Sequence, residues 1–169
     1  MRIYPGRIPA IAAEIVKTLT RDGDIEAHGP KEVEADIASV LTRYVDDDRD
    51  VTERAKDLMQ SRGLATQELG RMKKLVADQK GFKIGDEALD YLLDQTTAML
   101  MHSEHVDEVF AEDLDMRLKL RVILNREDAM DQDLDREARS RIRNEQEGTR
   151  TWEIRYRQVM EEIRRRKGL

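Results

Sequence analysis

No cysteine occurs anywhere in this chain, so disulfides, thiolate nucleophiles and cysteine-ligated zinc sites are excluded outright. Aromatic residues are nearly as scarce. One Trp, two Phe and four Tyr in 169 residues leave a core to aliphatic side chains, with methionine as gap-filler. No segment approaches the ~20 consecutive apolar residues needed to cross a bilayer, and the amino-terminus lacks the apolar run of a signal peptide. Both absences point to the cytoplasm and to no membrane partner. The nine glycines stand singly, which leaves no Gly-rich loop to cradle a phosphate.

What the chain has in abundance is charge. Asp, Glu, Lys and Arg make up 39% of it, so much of each helix must face water. The net charge of −6 conceals strong patterning: Met1 to Arg21 is +3, Asp22 to Asp57 is −7, Leu58 to Ile84 is +4, Gly85 to Asp135 is −11 and Arg136 to Leu169 is +5. An acidic middle between basic segments suits ends and body that attract one another, or basic parts that meet an anionic partner.

Apolar spacings of three and four predict an all-α fold. About six helices are expected, two of them long, in an elongated arrangement, branched or unbranched, with short extended connectors. Ile8, Ile11, Ala12, Ile15, Val16 and Leu19 mark a first helix from Pro9 to Arg21. Ile25 to Ala27 is a short extended piece. Pro30 then opens a helix whose stripe of Val33, Ile37, Val40, Leu41, Tyr44, Val51, Ala55 and Leu58 reaches Gly63. Within it, Asp46 to Asp50 interrupts the apolar stripe and reads as a solvated stretch of helix, with a capping box of Asp50 and Glu53, which would split the helix, as the alternative. Val51 and Asp57 stand where a calcium loop needs Gly and Glu, which argues against calcium.

Further helices follow from Thr66 to Gln79 and from Asp86 to Met101. Val106 to Phe110 lacks helical spacing and is predicted to be extended. Asp113 then reads as the cap of a second long helix, whose polar part from Asp131 onward projects from the core. Gly148 punctuates, and Thr149 or Thr151 caps a last helix carrying Trp152, Tyr156, Val159 and Ile163. Its expected mate is the first helix. Three regions result: a first arm over 1–81, a second over 82–147 that weakly repeats it, and the closing helix over 148–169.

Four strings stand out: MRIYPGRIPAIAAEIV at the start, EVEADIASVLTRYV, HSEHVDEVFAED followed by DMRLKL, and WEIRYRQVMEEIRRRKGL at the end. In this order they resemble the recurring stretches of the bacterial family catalogued as domain of unknown function 507. The resemblance implies an elongated, almost wholly helical bacterial protein. It carries no activity and no site residues with it.

Candidate chemistry is thin. His102, His105 and Glu108 have the spacing of metal ligands on a helix, yet an extended Val106 to Phe110 would scatter them, so neither metal nor cofactor is expected. Arg139, Arg141, Arg143, Arg155, Arg157, Arg164, Arg165, Arg166 and Lys167 form a basic region suited to phosphates, with Trp152 or Tyr156 available to stack on a base. The leading expectation is a non-enzymatic interaction protein. Its partner is a protein or a second copy, docked on Val106, Val109, Phe110 and Asp113; nucleic-acid binding through the basic region is the alternative, and a metal-dependent enzyme a lesser one.

Overall fold

The computed structural model describes residues 1–147 and 149–169, with the backbone alone at Asp128. Among these residues the chain is all-α: six α-helices and one two-stranded ribbon. The helices are α1 (Ile8–Arg21), α2 (Pro30–Arg62), α3 (Leu69–Lys80), α4 (Ala88–His102), α5 (Asp113–Arg141) and α6 (Arg150–Lys167). The ribbon pairs β1 (Ile25–Glu26) with β2 (Glu108–Val109), antiparallel, with Ile25 opposite Val109 and Glu26 opposite Glu108. Gly148, the expected break before the last helix, lies outside the described residues.

Both long helices run unbroken through their acidic stretches. In α2, Arg49 pairs with Asp46 and Arg54 with Asp50, each within one turn. From α3, Lys73 reaches Asp48 and Lys80 reaches Asp47 and Asp50. The acids that interrupt the apolar stripe are thus a clamp between helices. No capping box forms, and a helix here leaves no calcium loop. At 33 residues, α2 is about 50 Å long.

The two halves share one plan. First helix, strand, long helix and closing helix occur in that order twice. Packing repeats as well: α1 lies on α2 as α4 lies on α5, α3 on α2 as α6 on α5, and α1 on α5 as α4 on α2. Pro30 and Asp113, the first residues of α2 and α5, stand 83 positions apart. At that same interval the buried Val33, Ile37, Leu41, Tyr44, Val51, Ala55 and Met59 correspond to the buried Met116, Leu120, Leu124, Glu127, Leu134, Ala138 and Ile142. Between the first helices the interval is 81, pairing Ile11, Ala12 and Leu19 with Leu92, Leu93 and Leu100. Element order, packing partners and the ribbon register, in which Ile25 faces Val109 as Glu26 faces Glu108, share the pattern of a pseudo-two-fold about the ribbon. Its two units interlock through shared packing instead of standing as separate arms.

That correspondence exposes two exceptions. Ile15 and Val16 of α1 are matched by Thr96 and Thr97 of α4, all four buried, and both threonine hydroxyls lack a hydrogen-bond partner. An unpaired buried hydroxyl costs about 1–3 kcal/mol. Thr97→Val, a near-isosteric change, is accordingly expected to raise stability by about 1 kcal/mol, seen as a higher urea midpoint. An unchanged midpoint would show that the hydroxyl is satisfied in solution.

The hydrophobic interior has two parts. The larger joins α1 to α4 and the first half of α5. The smaller gathers Leu134 and Ala138 of α5, Met160 and Ile163 of α6, and Tyr4. The expected pairing of the last helix with the first is therefore corrected: α6 packs on α5. The termini do meet, since Tyr4 lies under the Arg164 guanidinium and a Cβ at Gly6 would stand 2.9 Å from the Gly168 carbonyl.

Candidate docking face

The first half of α5 carries apolar residues on two sides. Met116, Leu120, Ile123 and Leu124 point inward and are buried. Leu114, Leu118 and Val122, four residues apart, line the outer side and are 65%, 53% and 55% exposed. Phe110, one further step of four before them, is 57% exposed. A helix apolar on both sides is ordinarily buried on both. The fold itself does not demand this stripe: at the equivalent positions in the first half stand Ala27, Lys31, Ala35 and Ser39.

The charges around the stripe are divided unevenly. Arg117 bonds to Asp94 and Asp113, and those bonds hold its pKa above the ordinary arginine value. Lys119 bonds to Asp24 and Asp22, likewise raised in pKa. Arg121 pairs with Asp90, and Arg126 with Glu14. Each cation is thus tied back to α1, α4 or the turn before β1. Glu104, Glu108, Glu112 and Asp115 have no cation within ion-pair distance among the described residues, and Glu26 opposes Glu108 directly across the ribbon. Like charges in that position are mutually repulsive.

The expected interaction residues divide. Val106 and Val109 pack against the main core, and Val109 is held in the ribbon opposite Ile25; these two are a junction. Phe110 is open to solvent. Asp113 is not the cap, which is Glu112 without a side-chain bond, but the first helical residue, paired to Arg117. Leu114, Leu118 and Val122 were not distinguished by sequence reasoning from the neighbouring buried run. Their step of four, out of phase with Met116, Leu120 and Leu124, was the available signal.

The metal candidates are not assembled. His102 ends α4 with its Nδ1 on the Ala98 carbonyl at 2.7 Å, His105 sits in the following turn with its ring 6.0 Å from that of His28, and Glu108 lies in β2. Among the described residues no three His, Asp or Glu are arranged to hold a metal ion. His28 bonds Asp107 at 2.6 Å, with no nucleophile against it. A groove of about 230 Å³ between α2 and α4, lined by Asp36, Ser39, Arg43, Tyr44, Tyr91 and Gln95 among others, contains no His or Lys.

The basic region is largely neutralised from within. Arg139 pairs with Asp135 and Glu147, Arg141 with Glu137 and Glu162, Arg155 with Glu145, and Arg166 and Lys167 with Glu137. Trp152 stacks on Tyr156 at 5.0 Å, and Arg139 covers both rings. Burial, then its bond to Asp135, pushes the Tyr156 phenol up to about 12. Among the described residues Arg143, Arg150, Arg157 and Arg165 have no acid partner.

Among the described residues no helix is long and apolar enough to cross a membrane. No curated protein matches the chain. Residues 1–169, its whole length, match the family model described as Protein of unknown function (DUF507), in line with the resemblance carried by its four strings. The chain belongs to that family.

Proposed function

We propose that this is a non-enzymatic helical interaction protein of the bacterial cytoplasm, which presents the outer face of α5 to a protein partner. The observation that carries the reading is the exposed stripe Phe110, Leu114, Leu118 and Val122, present in one half of a duplicated frame and replaced by small or polar residues in the other. Such a contiguous apolar strip on a water-exposed helix marks a contact surface. The scattered histidines and the absence of a converging acid, base and nucleophile among the described residues support a role without catalysis.

A second reading, nucleic-acid binding, draws on Arg143, Arg150, Arg157 and Arg165, the cations left free near and along α6. One experiment separates the two. The tagged protein and its Leu114→Asp/Leu118→Asp variant are used for capture from native cells, with both protein and nucleic acid analysed in the eluate. A specific protein retained by the wild type and lost from the variant is the expected outcome. Retention of nucleic acid, equal in both and abolished by added salt, would favour the second reading instead.

A further inference from the structure

We propose that the partner segment received by α5 is a basic amphipathic helix of another protein; this rests on the docking face above. Within α5, Leu114 to Val122 covers eight helical steps, about 12 Å or just over two turns, and Phe110 stands exposed just before the helix begins. Side chains in a row of fours form a ridge that packs into the matching groove of a crossing helix, and an incoming helix offers its own anchors at steps of three and four. The ribbon offers an extended strand only two-residue edges, too short to account for a stripe that continues along α5.

Charge decides which helix. The four cations bordering the stripe, Arg117, Lys119, Arg121 and Arg126, already hold acids of their own chain. Glu112 and Asp115 are left over at its amino-terminal end, and Glu26 and Glu108 in the ribbon that runs into Phe110. Glu112 and Asp115 are well placed for the positive end of the α5 dipole. The ribbon pair Glu26 and Glu108 has no such reason, and each stands exposed opposite the other. Lys or Arg on the flank of an incoming helix would relieve that repulsion, and an acidic helix would add to it. A second copy of this chain fits less well: its own α5 stripe brings cations already paired within the chain, and the outward face of α6 has Arg150, Arg157 and Arg165 but only Ile154 as an exposed large apolar residue.

The test uses the full-length protein and two synthetic helical peptides with identical leucine spacing, one with lysines at the polar positions and the other with glutamates. Binding is followed by fluorescence anisotropy at low and high salt. The lysine peptide is expected to bind, and to weaken as salt is added. It should lose roughly tenfold or more in affinity on Leu114→Asp/Leu118→Asp and on Glu26→Lys/Glu108→Lys. The first variant makes the face more acidic, so its loss of binding cannot be a general charge effect. Equal binding of the glutamate peptide, or indifference of the lysine peptide to either variant, overturns the proposal. Self-association of the wild type that Leu114→Asp/Leu118→Asp abolishes would also overturn it, by making a second copy the occupant. If the peptides fail while cellular capture still depends on Leu114 and Leu118, the docking face stands and its basic occupant falls; if capture is independent of them too, both fall.

Discussion

Arg7→Ala is expected to lower the stability of the protein by about 2–3 kcal/mol, measured as a shift of the urea unfolding free energy at neutral pH. Glu127 projects from α5 into the interior and is 4% exposed. Two hydrogen bonds from the Arg7 guanidinium, Nε at 3.2 Å and Nη2 at 2.8 Å, satisfy its carboxylate. The bond to Glu127 is also the main reason the Arg7 pKa is raised. Truncating Arg7 leaves a buried carboxylate without a counterion, the costly way to break such a pair. The arginine side chain is itself 36% exposed, which keeps the expected loss at the low end. Glu127→Ala should cost less, since Arg7 can turn to water. The double change Arg7→Ala/Glu127→Leu should recover much of the loss, because an uncharged group suits this position: the equivalent residue of α2 is the buried Tyr44. A loss below about 0.5 kcal/mol for Arg7→Ala, the range of ordinary surface changes, would show that the pair holds nothing together.

The second large effect concerns the smaller core. Ile163→Ala removes a fully buried branched side chain from a cluster with only four other buried members, at about 2–4 kcal/mol. Because that cluster is separate from the main one, the expected consequence is local. Amide exchange should accelerate across α6 and the distal end of α5, while α1 to α4 keep their protection. Uniform acceleration over the whole chain would refute the division into two cores. Acid should act on the same region. Bonds from Lys167 and Arg166 hold the Glu137 carboxyl below its ordinary value, so its stabilising contribution is present above the unfolded carboxylate pKa. It is lost as pH falls through the depressed folded value. The end of α6 should therefore loosen in acid ahead of the main core.

Much of this architecture was legible in the residues. The stripe from Ile8 to Leu19, the helix opened by Pro30 and closed by Gly63, and the cap at Thr149, whose Oγ accepts the Trp152 amide hydrogen at 3.2 Å, all follow from local rules of periodicity and capping. The solvated stretch of helix expected over Asp46 to Asp50 is there, but the sequence alone did not decide between it and a split, because the cations that neutralise those acids include Lys73 and Lys80 on another helix. Nor was the partner of α6. An amphipathic stripe states that a helix has a buried side and says nothing of what lies against it. The docking stripe was hidden for a related reason: LDMRLKLRVIL mixes two apolar faces of one helix, and only the packing of α1 and α4 on the inner one separates them.

The pseudo-two-fold has a consequence for stoichiometry. A homodimer of half-length chains built on the same frame would show any recognition surface twice, in mirrored duty on either flank, and would gather two ligands per particle. In a single polypeptide each half is free to differ, and here Leu114, Leu118 and Val122 stand in one half while Lys31, Ala35 and Ser39 hold the corresponding positions of the other. Complexes formed through this surface should contain one molecule of each component.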